Sequence, residues 1–358
     1  MQIFDQLTAQ GHEQVVLFSH DDLKAVIAVH NTVLGPALGG VRMWPYANDD
    51  DALNDVLRLS RGMTYKAAVA GLNLGGAKAA IIGDPENDKT EALLRSLGRF
   101  IHSLGGRFIA TTDIGTNADD METMAEETDR VVGLHSSRGG SGDPSLFTAV
   151  GTLHGIRASL NHKFGHTNIG EVSYAVQGTG KTGEHIIRTL SEAGAKVFVS
   201  DINHQRVAHV VDTFGAEAVG LNDIYDVDAN VFVPCALGSV INEETVERLK
   251  CDVVAGSANY QLESSDWGIE LEKRGILYAP DFVINAGDLI NVATELNGYN
   301  ADRAHARIAR IFDTVTRIFD IAERESISAL EAANRMAEER IRTIGRVHAP
   351  FSGAPARY

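Results

Sequence analysis

The chain has 358 residues, 44% hydrophobic and 22% charged, with a formal net charge of −16, which predicts about two globular domains with ample core. The acidic balance argues against nucleic acid or an anionic membrane as partner, because phosphate recognition needs basic patches. No apolar run reaches the roughly 20 residues that span a bilayer, MQIFDQLTAQGHEQ lacks the basic-then-apolar order of a secretory signal, and Cys235 and Cys251 suit neither a disulfide framework nor a metal spacing; the cytoplasm is expected.

In chain order, HEQVVLFSHDDLKAVIAVH (12–30) alternates in polarity and predicts two strands joined at His20-Asp21-Asp22. GPALGG (35–40) then brings bare backbone, Gly39 included, close to a small ligand. The acidic run Asn48-Asp49-Asp50-Asp51 reads as the cap and first-turn acids of a helix rather than a metal site. That helix carries Leu53, Val56, Leu57 and Met63 at helical spacing. It leads to Lys66, a glycine loop (71–77) and Lys78, at the start of a short buried strand stopped by Gly83 and Pro85. Two lysines flanking one glycine loop, in a stretch with almost no other charge, are a poor surface pattern. Mutual repulsion and lost hydration lower at least one pKa from about 10.4, so that a lysine can serve as general base.

TEALLRSLGRFIHSLGG (90–106) predicts an amphipathic helix ended by glycine. GGRFIATTD (105–113) predicts a strand ending at Asp113, and the next helix runs from Asn117 to Glu127. On the residues alone Asp113 is either a cap or a catalytic carboxylate. The Gly/Ser-rich segment 133–145 is the best candidate for an inter-domain hinge, followed by a helix over 146–164.

VSYAVQGTGKTGEHIIRTLSEAGAKVFVSD (172–201) is a strand, a glycine turn at Gly178, Gly180 and Gly183, a helix opening with Lys181-Thr182, and a strand ending in Asp201. That order is the dinucleotide-binding arrangement, in which the glycines let a pyrophosphate approach the helix start. Asp201 would accept hydrogen bonds from the adenosine ribose and repel a 2′-phosphate, which points to NAD over NADP. Further strands end in small residues at Ala236, at Asn259 and at Asn285-Ala286-Gly287, as at the carboxyl edge of a parallel sheet where cofactors lie. Long amphipathic helices are expected over Asp302–Ile321 and Ala329–Thr343. His162 and His166 have i, i+4 spacing but lack a Glu partner and flank Gly165, so no metal site is expected.

GPALGGVRMWPY (35–46), RLSRGMTYKAAVAGLNLGGAKAAIIGDP (58–85) and TTDIGTNADDM (111–121), together with VQGTGKTG, PCALGSVIN, AGSAN and INAG, resemble the leucine, phenylalanine and valine dehydrogenase family of amino-acid dehydrogenases, the leucine-specific branch most closely. The resemblance covers nearly the whole chain. It implies an α/β fold of two domains with a deep cleft between them. The catalytic and oligomerisation domain would comprise 1–134 with 329–358, and the Rossmann NAD-binding domain 135–328. Lys66 would hold the substrate carboxylate, Lys78 would be the catalytic base, and Asp113 would assist proton transfer. Leu38, Met63, Thr111, Leu289 and Val292 would form the side-chain pocket, and Thr148 and Asn285 would contact the nicotinamide carboxamide. A homo-oligomer, dimer or octamer, is implied as well.

The chain departs from the family pattern at Lys181, where asparagine is usual, at Tyr260 for a second asparagine, at Asp288 for a second glycine, and at Asp143 in Ser141-Gly142-Asp143-Pro144. All four lie on segments expected to line the cleft. The reading is an NAD-dependent oxidative deaminase of an aliphatic, branched-chain L-amino acid. The alternatives are an NAD-dependent dehydrogenase or cyclodeaminase of a polar or aromatic amino acid, and a non-catalytic NAD- or amino-acid-binding homologue.

Overall fold

The computed structural model describes residues 3–348. The first unit opens with α1 (Ile3–Gln10), β1 (Gln14–His20), β2 (Leu23–Asn31) and β3 (Ala37–Trp44), followed by α2 (Asp49–Val69), β4 (Gly75–Ile82), α3 (Glu91–Ser103), β5 (Phe108–Thr112) and α4 (Ala118–Ala125). Asp21, at φ 48°, makes the turn between β1 and β2; a short polar side chain tolerates that left-handed position. Asn48 caps α2 by accepting the Asp51 N–H at 2.9 Å, and Asp49, Asp50 and Asp51 occupy its first turn.

The strands form a five-stranded sheet in the order β1-β2-β4-β3-β5. β1, β2 and β4 pair antiparallel, whereas β3 runs parallel to both β4 and β5. Side chains alternate between the faces of a sheet, and here the two faces have different partners. Ala25, Ile27, Val41, Met43, Ala79, Ile81, Phe108 and Ala110 bury against Leu97 and Ile101 of α3 and Met121 and Met124 of α4. Val26, Ala28 and Ala80 bury against Leu53, Val56 and Leu57 of α2. α2 lies very close to β4: a Cβ on Gly76 would stand 2.1 Å from the Thr64 nitrogen and 2.6 Å from the Ser60 carbonyl oxygen. Only glycine permits that approach.

The second unit is built on α5 (Ser145–Phe164), β6 (Ser173–Gln177), α6 (Lys181–Glu192), β7 (Lys196–Ser200), α7 (His204–Phe214), β8 (Glu217–Ala218), β9 (Val231–Pro234), α8 (Glu243–Val246), β10 (Val253–Val254), α9 (Ser265–Lys273), β11 (Leu277–Tyr278) and α10 (Asp281–Ile284). Its sheet is parallel throughout, in the order β11-β10-β9-β6-β7-β8. That is the doubly wound dinucleotide-binding order, with its switch point between β6 and β9. The chain ends with α11 (Gly287–Ala293), α12 (Ala301–Ala309), α13 (Ile311–Glu325) and α14 (Ala329–His348).

Packing divides the chain somewhat differently from the sequence expectation. The first unit holds residues up to Asp143, Asn291–Ala301 and the chain from Ala337; the second holds Pro144–Ile290 and Asp302–Met336. The segment 135–143 stays with the first unit because the two carboxylate oxygens of Glu295 accept from the Gly133 N–H at 3.0 Å and the Ser141 N–H at 2.8 Å. Residues 349–358, expected in the catalytic domain, lie outside the described residues. The helix anticipated over 302–321 is two helices. At Arg310 the N–H turns to the Arg307 carbonyl, a three-residue step that interrupts the ladder. Ser326, at φ 53°, ends α13.

Candidate active site

Lys78 is the fourth residue of β4, on the face that Ala80 presents to α2. Asp113, directly after β5, reaches it with Oδ2, which accepts a short hydrogen bond from Lys78 Nζ. The pair lies over a gap left by glycine: a Cβ on Gly40 would sit 2.7 Å from Asp113 Oδ2 and 3.0 Å from Lys78 Nζ. Gly39, the glycine singled out in the sequence, has a different constraint, since its Cβ would strike the Ala77 carbonyl oxygen at 1.8 Å. Gly40 pairs with Thr111 across β3 and β5. Thr111 faces the same side as Asp113, because Phe108 and Ala110 face α3 and α4. Leu38 and Thr111 are buried. Met63 is half-buried, and Lys66, in the last turn of α2, is only 6% exposed. The structure therefore gathers Lys78, Asp113, Gly40 and Thr111 on the sheet face that α2 covers.

A residue not anticipated from the sequence completes the cluster. Arg42 Nε donates to Asp113 Oδ1 at 3.0 Å, and its Nη1 donates to Asp55 Oδ2 at 2.7 Å. Asp55 Oδ2 also accepts from the Tyr46 hydroxyl at 2.7 Å. Asp113 Oδ1 further accepts the Ile114 N–H at 2.7 Å. Thr116 Oγ1 accepts the Asp113 N–H at 3.0 Å and donates to the Val41 carbonyl at 2.7 Å. The signal available in the sequence was a lone charge within the apolar strand LGGVRMW.

Burial pushes the Lys78 ammonium below the usual lysine pKa; Asp113 opposes this, and the Arg42 guanidinium acts in the same direction as burial. The cationic neighbour acting on Lys78 is thus Arg42, where the sequence pointed to Lys66. Burial would raise the Asp113 carboxyl, but Lys78 and Arg42 outweigh it and hold the group below its ordinary value. For Arg42, burial opposes the charge, and the paired Asp113 and Asp55 overcome it and raise its pKa. A lysine disposed to give up its proton, bonded to an ionised carboxylate, can exchange protons with a bound small molecule.

In the second unit the glycine turn has the geometry that a dinucleotide needs. Gly178 has φ 104°, and a Cβ on Gly183 would stand 2.0 Å from the Gly178 carbonyl oxygen. Gly180 caps α6, and the nearest atom to a Cβ there is Arg206 Nη1 at 3.8 Å, so the helix start is open. Lys181 and Thr182 form the first turn of α6. Asp201 follows β7; its Oδ2 accepts the Thr179 N–H at 2.7 Å and its Oδ1 the Asn203 N–H at 2.8 Å. Burial would raise this carboxyl, but the two backbone donors and Arg206 lower it, so it is ionised.

Ala236 and Asn259 are exposed past the carboxyl ends of β9 and β10. Asn285 donates to Asn259 Oδ1 at 2.8 Å and leaves its own buried Oδ1 without a protein partner. A Cβ on Gly287 would stand 3.3 Å from the Thr148 nitrogen, so Thr148 and the 285–287 turn adjoin. An open helix start, an ionised carboxylate at the second strand end and an orphaned amide oxygen fit a nicotinamide dinucleotide.

One of the departures has a local structural role, and a second stands in a backbone conformation that does not favour it. Asp288 Oδ1 accepts the Leu289 N–H at 2.6 Å, bending the carboxylate onto the start of α11. Tyr260 occupies the left-handed region at φ 52°, a conformation in which asparagine is the more tolerant residue. Among the described residues no group of three metal-ligating side chains is gathered, and no helix is long and apolar enough to cross a membrane.

Two sequence models match, the Glu/Leu/Phe/Val dehydrogenase dimerisation domain over residues 12–130 and the Glutamate/Leucine/Phenylalanine/Valine dehydrogenase domain over 200–347. The chain is 50% identical to leucine dehydrogenase of Geobacillus stearothermophilus over 354 residues, covering 98% of this chain and 96% of that one. It is 48% identical to phenylalanine dehydrogenase of Bacillus thermotolerans, covering 96% and 92%. The crystal structure of L-tryptophan dehydrogenase from Nostoc punctiforme is similar with a TM-score of 0.83 at 42% identity, covering 96% of this chain and 99% of that one. The chain belongs to the Glu/Leu/Phe/Val dehydrogenase family and is an amino-acid dehydrogenase.

Proposed function

We propose that this chain is an NAD-dependent dehydrogenase that deaminates an aliphatic L-amino acid, converting amino acid, water and NAD⁺ to 2-oxo acid, ammonium, NADH and a proton. The observation that carries the reading is the buried Lys78–Asp113 pair over Gly40, with Lys66 buried in the neighbouring helix. Lys66 supplies the counter-charge for the substrate carboxylate, as a compact point charge suits. The chemistry that the cofactor supplies when bound is acceptance of a hydride from Cα. Lys78, its proton loosened by burial, takes a proton from water as that water adds to the electron-poor carbon. Asp113, within hydrogen-bond reach of Lys78, relays the proton to the departing amine. The glycine turn, Asp201, Asn285 and Thr148 hold the dinucleotide.

The expected substrate is valine, 2-aminobutyrate or isoleucine, accepted at least as well as leucine. Leu38 is fully buried and fills space that a ring would need, whereas glycine is expected there in phenylalanine-specific relatives. Thr111 and Leu289 are each larger than the alanine and valine expected in leucine-specific ones. The discrimination is modest, since one methylene is worth about 1–3 kcal/mol. The alternative is an aromatic substrate, and the similarity to phenylalanine and tryptophan dehydrogenases supports it. A homo-oligomer, which the dimerisation-domain match supports, completes the proposal, with the cytoplasm as its expected place.

The test is a rate panel over aliphatic and aromatic amino acids with NAD, for the wild type and for Lys78→Ala. Amino-acid-dependent NADH formation should be fastest with the aliphatic set. Lys78→Ala should fall about 10²–10⁴-fold in kcat while binding NADH normally. A faster aromatic substrate would overturn the pocket assignment, and near-normal Lys78→Ala turnover would remove the base.

A further inference from the structure

We propose that Arg42 is the positioning residue of the Lys78–Asp113 pair: anchored by Asp55, its guanidinium holds Asp113 so that the other carboxylate oxygen is aimed at Lys78. The proposal rests on the reading of Lys78 and Asp113 as the proton-transfer pair and deepens it.

Geometry carries the argument. Asp113 divides its two oxygens between two cations, Oδ1 to Arg42 Nε at 3.0 Å and Oδ2 to Lys78 Nζ. A carboxylate after the last residue of β5 has free rotation about its terminal bond. Here that rotation is stopped on the Oδ1 side by Arg42 and by the Ile114 N–H at 2.7 Å. Arg42 is itself fixed at its far end, where Nη1 meets Asp55 Oδ2 at 2.7 Å. Asp55 in turn accepts from Tyr46 at 2.7 Å and from Arg58 at 3.1 Å. The planar guanidinium holds its donors in a fixed plane, with Nε directed to one carboxylate and Nη1 to the other, whereas the donors of an ammonium converge on one rotatable centre. Arg42 and Asp55 are each mostly shielded, at 19% and 15% side-chain exposure, so solvent weakens the chain of contacts only partly. The arrangement also places two cations around Asp113.

A positioning role has consequences that a merely structural one lacks. The groups that face Lys78 from the packed elements are Asp113, Arg42 from β3 and, from α2, Asp55, with Tyr46 behind it; Lys66 is the buried cation of the same helix. Removing the Arg42 charge takes a repulsion away from Lys78, so its proton is held more tightly. The rise of kcat with pH should then move to higher pH. Loss of aim should lower kcat itself, by about 10- to 100-fold for a displacement on the order of 1 Å. KM for the amino acid should change little, because its carboxylate is assigned to Lys66.

The experiment measures kcat, KM and the pH profile of kcat for the wild-type enzyme and for Arg42→Met, Arg42→Lys and Asp55→Asn, with near-ultraviolet circular dichroism and NADH affinity as checks on folding. Arg42→Met should lose about 10- to 100-fold in kcat, keep KM within roughly threefold and shift the profile to higher pH. Arg42→Lys should recover part of both effects. Asp55→Asn, which touches neither Lys78 nor Asp113, should reproduce the loss of kcat in smaller measure, but it removes a charge that raises the Lys78 pKa, so its profile should move to lower pH; its kcat decides the matter if Arg42→Met does not fold. The proposal is overturned if the pH profiles of the folded variants coincide with that of the wild type, or if KM rises as steeply as kcat falls. Failure of the underlying reading looks different: Lys78→Ala would then keep its activity whatever Arg42 does.

Discussion

Lys78 is an unusual residue to bury, and the residue that allows it has no side chain. Gly40 leaves the volume above β3 in which Lys78 Nζ and Asp113 Oδ2 meet. A methyl group there would stand 2.7 Å from one and 3.0 Å from the other, so the pair would have to separate. Gly40→Ala should therefore lose at least about 10²-fold in kcat, the cost of roughly 1 Å of misplacement, while NADH binding, proposed for the second unit, should stay normal. Steady-state rates and NADH fluorescence titration check this. Unchanged kcat would mean that the pair is not the site of proton transfer. Motif and spacing are local properties, so the sequence singled out the two lysines, whereas Asp113 stayed open between a cap and a catalytic carboxylate until the resemblance gave it a role. The sequence did not reveal Arg42 or Gly40 in these roles, because both depend on which strands become neighbours. β3 inserts between β4 and β5, so Arg42 meets a carboxylate 71 residues further along the chain.

Among the elements, α2 joins the most parts, and one buried histidine reports its seating. His30 on β2 has Nδ1 2.8 Å from Thr64 Oγ1 of α2, and Nε2 3.0 Å from the carbonyl oxygen of Gln10 at the end of α1. Burial, and then the neighbouring His12, push its pKa down to about 4, with the Gln10 carbonyl opposing. Unfolding restores a value of about 6.5, so between those values the unfolded chain binds more protons than the folded one. The stability associated with neutral His30 is fully present above about pH 6.5 and declines as the pH falls toward 4, by up to about 3 kcal/mol. Urea midpoints across that range should fall with pH in the wild type and fall less steeply in His30→Gln. Parallel slopes would show that His30 takes up its proton without loss of structure. Elements such as α2, α3 and the β6–α6–β7 run follow from periodicity, caps and glycines. The break at Arg310 does not. Its buried stripe of Ala304, Ile308, Ile311, Val315 and Ile318 continues through the break, so nothing in the apolar pattern marks it.

At the scale of the whole molecule, the chain crosses between two units, and the proposed function gives each its own half of the chemistry. Acid–base groups sit on the mixed sheet of the first, and the dinucleotide features at the carboxyl edge of the parallel sheet of the second. On the proposed reading, cofactor choice is decided within the second unit, at Asp201. Its carboxylate is fixed by the Thr179 and Asn203 N–H groups and held ionised beside the glycine turn. Each oxygen keeps lone-pair capacity for a ribose hydroxyl. A 2′-phosphate there meets like charge, a penalty of several kcal/mol. The enzyme should accordingly prefer NAD. The guanidinium of Arg206 reaches to 3.8 Å of where a Gly180 Cβ would lie and helps to hold Asp201 ionised, so a cation is already in place on the same side. Asp201→Ser should raise the ratio of kcat/KM for NADP over NAD by at least about tenfold, the equivalent of about 1.4 kcal/mol. Arg206→Ala added to Asp201→Ser should give back part of that gain, because a 2′-phosphate would lose its charge-assisted partner. Equal ratios in the wild type and Asp201→Ser would show that Asp201 does not face the ribose, and an undiminished gain in the double variant would exclude Arg206 from phosphate binding.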